Sequence, residues 1–327
     1  TERTKYTLNQ DNIMVSIVCI TYNHEKYISQ ALEGFLNQKT TFPIEIIIHD
    51  DASTDRTPDI IINYASRYPT LITPILQNEN QYSQGKIITE KLIMQAKGKY
   101  IAFCEGDDYW TDPNKLQEQV DILERNIDLV ASTHNEIVVR ENGTPWPKSY
   151  QISYREHHNR ILDRKMLNYK CKFAHTASIV VRRDIFTGLD GEAWEAYKNV
   201  RANGDMKWAA LMASQGNVYH IAKDMACYRY VPNGTDSWSS RTHDKNITLS
   251  TYQQLQAIRT FTNQYLNFDP SYEEFVKNLN FHAFGIAIKR PSKENISIMI
   301  ELKKKSSYRF KDFLLAGAER IKKKLLK

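Results

Sequence analysis

A chain of 327 residues, 41% of them hydrophobic, can fill one large α/β domain with an appendage, or two domains, and is too apolar for global disorder. The formal charge of +6 is small and is concentrated from Leu302-Lys303-Lys304-Lys305 to the C-terminus, which argues against a chain-wide nucleic-acid footprint and for a basic tail. No apolar run approaches the ~20 residues of a membrane span. The start, Thr1 to Tyr6, has no signal-peptide apolar region, and Cys19, Cys104, Cys171 and Cys227 lack zinc spacing and read as buried thiols of a reducing cytoplasm.

Val15 to Ile20 is a mostly apolar run of strand length that ends at Thr21-Tyr22-Asn23-His24-Glu25, and Ile28, Ala31, Leu32, Phe35 and Leu36 then recur at helical spacing. A second strand, Ile44 to Ile48, runs into Asp50-Asp51-Ala52-Ser53-Thr54-Asp55. Thr57-Pro58 opens a helix with Ile60, Ile61, Tyr64, Ala65 and Tyr68 on one face. A third strand near Ile72 to Leu76 precedes the polar loop Gln77 to Gly85. The next helix has Ile87, Ile88, Leu92 and Ala96 inward and stops at Gly98, read as a left-handed cap. Tyr100-Ile101-Ala102-Phe103 is a fourth strand, which empties into Glu105-Gly106-Asp107-Asp108.

Strands alternating with helices call for a parallel sheet covered on both faces. In such a sheet Thr21–Asn23, Asp50–Asp55 and Glu105–Asp108 emerge at one edge, where open α/β folds bind ligands. Acids packed so closely repel one another unless a positive charge sits between them, and a divalent cation shared with substrate phosphates is the natural candidate. The plainer reading of each cluster is a turn or a helix cap, with Asp112-Pro113 as such a cap.

Further on, a helix carries Leu116, Val120 and Leu123, and Leu129 to Thr133 starts a strand. Ile137-Val138-Val139 with Asn142-Gly143 suggests a hairpin over the site. Residues 144–172 have no legible pattern. Phe173 to Val181 reads as a strand, Asp205 starts a helix running to Gln215, and a strand begins near Ala226. From Asn246 the periodicity is helical, with Leu249, Tyr252 and Leu255, then Phe275, Leu279, Ala283 and Ile286. The last segment, Phe310 to Lys327, is amphipathic and basic. It fits an anionic membrane surface or a packing or oligomerisation helix.

Ile17 to Asn23, Ile48 to Asp55 and Phe103 to Asp108 together resemble the ordered signature of family 2 glycosyltransferases with the GT-A fold. The match covers about the first 135 residues and continues more weakly to about 231. The resemblance implies a Rossmann-like, mostly parallel sheet with helices on both faces, in a domain over 1–245. Its nucleotide-sugar half covers about 1–135, its acceptor half 136–245, and a helical region follows over 246–327. It implies that a nucleotide-sugar binds at the crevice, with Thr21, Tyr22 and Asn23 at the base and Asp51 accepting a base N–H, which favours uracil. Lys86 falls near the diphosphate. Glu105, Gly106 and Asp107 stand where the family has Asp-x-Asp, Asp107 holding Mn²⁺ or Mg²⁺ and Glu105 departing from the pattern. Asp205 takes the position of the catalytic base of inverting transfer, against the plainer reading of a helix cap. His175, in His175-Thr176-x-Ser178, resembles an acceptor-side element, against a buried, hydrogen-bonded histidine. Trp110 reads as a sugar platform or as a core or rim aromatic. Where many relatives carry a metal-binding histidine this chain has Val231, with His243 a substitute.

The function implied is an inverting, metal-dependent transfer from a UDP-sugar to a glycan, lipid-linked or protein-linked acceptor in bacterial surface-glycan assembly. It would take place in the cytoplasm or at the inner face of the membrane, without nucleic acid. A nucleotidyltransferase would show a glycine-rich, basic loop after the first strand, whereas Thr21-Tyr22-Asn23 is neutral and glycine-free. A non-catalytic nucleotide- or glycan-binding protein on the same scaffold is the third reading, and the presence of both Asp107 and Asp205 argues against it.

Overall fold

The structure, a computed structural model, describes residues 12–148, 151, 155–170, 173–231, 247–270 and, with gaps, 272–304. Strands β1 (Val15–Thr21), β2 (Ile44–Asp50), β3 (Ile72–Leu76) and β4 (Tyr100–Phe103) lie in the order β3-β2-β1-β4, and every neighbouring pair is parallel. The continuous apolar runs of β1, β2 and β4 follow from burial on both faces. Ile17, Cys19, Ile46, Ile48 and Ala102 pack on one face with Ile28, Ala31, Leu32 and Phe35 of helix α1 (Ile28–Leu36) and Ile61 of α2 (Thr57–Arg67). Val18, Ile47, Ile101 and Phe103 fill the other face with Leu92 and Ile93 of α3 (Thr89–Gln95).

Beyond β4 the chain forms β5 (Tyr109–Trp110), α4 (Lys115–Arg125), β6 (Leu129–Val139), β7 (Arg160–Leu162), α5 (Arg164–Lys170), a 3-10 turn at Thr176–Ser178 and β8 (Val180–Arg182). It continues through α6 (Asp184–Thr187), α7 (Gly191–Asn199), α8 (Gly204–Gln215), β9 (Asn217–Arg229), α9 (Ile247–Tyr265) and α10 (Lys293–Lys304). Among the described residues the sheet has nine strands, in the order β3-β2-β1-β4-β8-β6-β9-β5, with β7 also on β9. The second half is mixed: β8 is antiparallel to β4 and β6, β6 and β9 are parallel, and β5 and β7 run against β9. The expected α/β sheet of the GT-A type, with helices on both faces and helices following it, is thus present.

Several local expectations change. The anticipated hairpin is short: β6 is one 11-residue strand with register shifts near Leu129 and around Asn135, and Asn142-Gly143 then turns the chain back into an antiparallel bridge between Val139 and Pro145, with the Arg140 amide on the Thr144 carbonyl (2.8 Å) and the Trp146 amide on the Val138 carbonyl (2.9 Å). Residues 173–181 are not one strand, because the 3-10 turn interrupts them before β8. The final strand of the sheet starts at Asn217 rather than near Ala226. Gly98 is not a left-handed cap. A Cβ there would lie 2.5 Å from the Ser16 backbone nitrogen, so glycine serves close packing of α3's exit on β1.

Leu255 and Ile258 of α9 pack on Met206 and Ala210 of α8. Among the described residues no helix is long and apolar enough to cross a membrane. Cys19, Cys104 and Cys227 are buried free thiols. Cys171, His243, Phe275, Ile286 and the basic segment Phe310–Lys327 lie outside the described residues.

Candidate active site

The turns that follow β1 and β2 are locked to each other. Asn23 and Ala52 both adopt left-handed backbone, at φ 55° and 61°. For alanine this is an uncommon conformation that persists only where neighbours enforce it. Those neighbours are visible. The Asn23 amide donates to Ser53 Oγ (2.8 Å), the Thr54 amide to Asn23 Oδ1 (2.8 Å), the His24 amide to Thr57 Oγ1 (2.8 Å) and the Glu25 amide to Asp55 Oδ2 (3.0 Å). Asp50 accepts from the Ser53 amide at 2.9 Å. Asn23 Oδ1 and Asp55 therefore hold the floor of the crevice.

Asp51 is 2% exposed. Its Oδ1 accepts from the Gln81 amide (2.6 Å) and its Oδ2 from the Tyr82 amide (3.0 Å), so it pins the polar loop between β3 and α3 onto the end of β2. Tyr82 itself is 64% exposed, Gly85 turns the loop at φ 69°, and Lys86 is exposed beyond it.

Glu105, Asp107 and Asp108 follow β4, and their carboxylate oxygens lie within 4.8 Å of one another. Gly106 brings this loop against β1. Its amide donates to the Ile20 carbonyl at 3.0 Å, and a Cβ would stand 2.6 Å from Thr21 Oγ1 and 3.0 Å from His24 Nδ1. Thr21 is consequently buried beneath Gly106, with no hydrogen-bond partner for its hydroxyl among the described residues, while Tyr22 is half-buried. The three acids differ in access: Glu105 is exposed, Asp107 half-buried and Asp108 buried. A clustered set of carboxylate oxygens with two open members fits a hard divalent cation.

Asp108 faces inward. Its Oδ1 accepts from the Arg229 amide (2.8 Å) and its Oδ2 lies 3.8 Å from His175 Nδ1. The same nitrogen is 3.3 Å from Glu136 Oε2, and Tyr228 packs on the imidazole with ring centroids 4.1 Å apart. Burial works against charge on His175, but Glu136 foremost, then Asp108 and Glu105, outweigh it and push its pKa up to about 9. Burial, followed by the charge on Asp107, holds Asp108 well above the usual carboxylate range. Arg229 closes the other side, donating to the Asp107 carbonyl, the Glu141 carbonyl (3.2 Å) and Gln30 Oε1 (2.8 Å).

Trp110 is not a sugar platform. It is 4% exposed, lies edge-on to Phe35 with centroids 4.8 Å apart, donates from Nε1 to the Ala177 carbonyl (2.9 Å), and has Lys115 Nζ over its ring at 4.1 Å. Burial pushes the Lys115 ammonium down to about 7. Asp205 is half-buried in the first turn of α8. The residue before the helix is Asn203, which makes no side-chain cap bond; Asp205 Oδ1 accepts from the Met206 amide at 2.8 Å. The next two residues anchor this turn: Lys207 donates to Glu90 Oε1 on α3 (2.6 Å), and Trp208 stacks on Phe103 at the end of β4 (4.3 Å).

Sequence reasoning missed His24, Glu136 and the Glu90–Lys207 pair. His24 sits inside the turn after β1, with Nε2 3.8 Å from Asp107 Oδ2. Glu136 carries a legible signal, a lone acid leading the apolar run Ile137-Val138-Val139. Glu90 and Lys207 are 117 positions apart and carry none.

Residues 16–189 match the model of the family described as "Glycosyl transferase family 2". The chain belongs to that family. A Mycobacterium tuberculosis protein of uncharacterized function is 38% identical over 247 residues, which are 72% of this chain and 66% of that protein, so this family 2 chain spans just under two thirds of that relative's length. The putative teichuronic acid biosynthesis glycosyltransferase TuaG of Bacillus subtilis is 26% identical over 226 residues, 68% of this chain and 82% of TuaG. Among solved structures, residues 1–349 of S. aureus TarS in complex with UDP-GlcNAc superpose with a TM-score of 0.64, covering 89% of this chain and 79% of TarS at 16% identity. At that identity the likeness is one of fold.

Proposed function

We propose that the chain transfers a sugar, with inversion, from a UDP-sugar to a glycan or glycoconjugate acceptor of a bacterial surface polysaccharide. The observation that carries the reading is the open pair of carboxylates, Glu105 and Asp107, at the edge where β1 and β2 also end, in a family 2 chain. Asp107, with Glu105 beside it, would hold a divalent cation, which when bound supplies charge neutralisation for the departing diphosphate. Tyr22 and the loop carried by Asp51 frame the base. Each Asp51 oxygen keeps a second lone pair beyond the Gln81 or Tyr82 amide, and that lone pair is the acceptor for the uracil N–H. Lys86, exposed just after that loop, would meet the diphosphate.

Asp205 takes the proton from the attacking acceptor hydroxyl. The dyad of His175 and Glu136 lies behind Asp108, toward the acceptor half. The UDP-GlcNAc bound by TarS and the teichuronic acid biosynthesis in the name of TuaG support the choice of donor and of acceptor class.

The test is slow hydrolysis of a panel of UDP-, GDP-, CDP- and dTDP-sugars with Mn²⁺, Mg²⁺ or chelator, followed by transfer assays with the donor so found. Hydrolysis of a UDP-sugar that needs metal and disappears in Asp107→Asn supports the reading. Asp205→Asn should retain UDP binding and lose transfer by ~10²–10⁴. Metal-independent turnover, or undiminished transfer by either variant, would sink the corresponding assignment, and a GDP-sugar as sole substrate would overturn the choice of base.

A further inference from the structure

We propose that His24 is a ligand of the divalent cation, a nitrogen donor acting with Asp107, and that it biases the site toward Mn²⁺ over Mg²⁺. The inference rests on the metal-dependent reading above. The Val231 side chain offers no donor atom, and an imidazole elsewhere at the site can supply one. Two histidines of the described residues reach the acidic cluster, His24 at Asp107 and His175 at Asp108. They are not equivalent. His175 Nδ1 is already enclosed between Glu136 and Asp108, in a pair whose side chains are 11% and 1% exposed. The His24 and Asp107 side chains are 21% and 24% exposed, so both are within reach of an arriving ion.

The separation supports the assignment. At 3.8 Å, His24 Nε2 and Asp107 Oδ2 are too far apart for a hydrogen bond. Two donors that each lie about 2.1 Å from one ion can be at most about 4.2 Å apart, so this gap is one an ion can bridge. His24 is also held in place. Its amide donates to the buried Thr57 hydroxyl, and its carbonyl accepts from the Tyr27 and Ile28 amides, both at 2.9 Å. The left-handed turn at Asn23 aims it toward the acids. Nδ1 is buried against Gly106, which leaves Nε2 on the Asp107 side. The rigid turn after β1 thereby gains a reason beyond chain reversal: it presents a nitrogen donor to the loop after β4. Imidazole suits first-row transition ions, whereas Mg²⁺ prefers an all-oxygen shell, and this is the physical basis of the selectivity.

The experiment uses the full chain with Mn²⁺ alone and with Mn²⁺ plus UDP, read by pulsed EPR for nitrogen coupled to the manganese. Wild type should show a ¹⁴N coupling that becomes a ¹⁵N coupling when histidine is ¹⁵N-labelled, and His24→Asn should lose it. The Mn²⁺ dissociation constant should rise on the order of tenfold in that variant. Mg²⁺ affinity, measured by competition, should change by less than about threefold. His24→Gln repeats the measurement should asparagine disturb the turn. Manganese bound by wild type without histidine coupling, or a coupling that survives both substitutions, overturns the role of His24 while leaving the metal reading standing. Failure of wild type to bind Mn²⁺ even with UDP overturns the metal reading, and this inference with it.

Discussion

Trp208 stacks on Phe103 with ring centroids 4.3 Å apart and planes 11° from parallel. Phe103 is the last residue of the strand that delivers the acids, and Trp208 lies three residues after Asp205. One aromatic contact thus ties the proposed base to the proposed metal site. Trp208 is buried and its Nε1 has no hydrogen-bond partner among the described residues. Trp208→Ala should cost ~3–5 kcal/mol and lower sugar transfer more than donor hydrolysis. Trp208→Phe keeps a stacking ring and removes an unpaired donor, so it should be nearly neutral. Urea unfolding and the transfer-to-hydrolysis ratio check both. Equal losses in the two activities of Trp208→Ala would show that the stack is only structural.

The second anchor is the buried pair of Glu90 and Lys207, with Lys207 Nζ also 4.4 Å from the Tyr197 ring centroid. Removing one charge leaves the other buried and unpaired. Lys207→Met or Glu90→Gln alone should therefore destabilise by ~3–5 kcal/mol. The double variant Lys207→Met with Glu90→Leu should recover most of that loss, because well-packed apolar side chains replace a buried pair at little cost. A denaturation cycle over the four proteins measures the coupling, and simple additivity would contradict it.

Asp51 holds two loop amides as well as facing the proposed base. In Asp51→Asn an amide NH₂ must oppose one of the N–H groups of Gln81 and Tyr82, and a desolvated group without its partner costs ~1–3 kcal/mol. UDP binding by calorimetry should weaken about tenfold, a change of about 1.4 kcal/mol. Limited proteolysis should gain a cut between Gln77 and Gly85. An unchanged affinity together with a freed loop would confine Asp51 to a structural role.

The His175 imidazole titrates at about 9 in the fold, against roughly 6.5 in an unfolded chain. A group whose folded pKa is raised stabilises fully below the unfolded value, and that stability is lost as pH rises through the folded value. Chelator-treated protein should therefore lose up to ~3 kcal/mol between about pH 6.5 and pH 9. In Glu136→Gln the largest charge favouring the imidazolium is gone, and the pH slope should flatten. A wild-type stability that is level across that window would remove the charged imidazole from this account.

The order of β1 to β4, their helices and the acids at one sheet edge were legible along the chain. Strand and helix periods and turn chemistry are local properties, and parallel pairing then places the carboxyl ends of the strands together. Asp51, Glu105 and Asp107 could be named for that reason, with the resemblance assigning their roles, while Asp205, at the start of a helix, was named by the resemblance alone. Tertiary structure decided what depends on distant neighbours. It put Trp110 in the core through Phe35, Ala177 and Lys115, and made a packing glycine of Gly98 through Ser16. It paired Glu90 with Lys207 across 117 positions, and it brought His24 to Asp107 because Gly106 lets the loop after β4 rest on Thr21. A side chain's partners are set by which surfaces meet when the sheet closes, and that information is not local to any one segment.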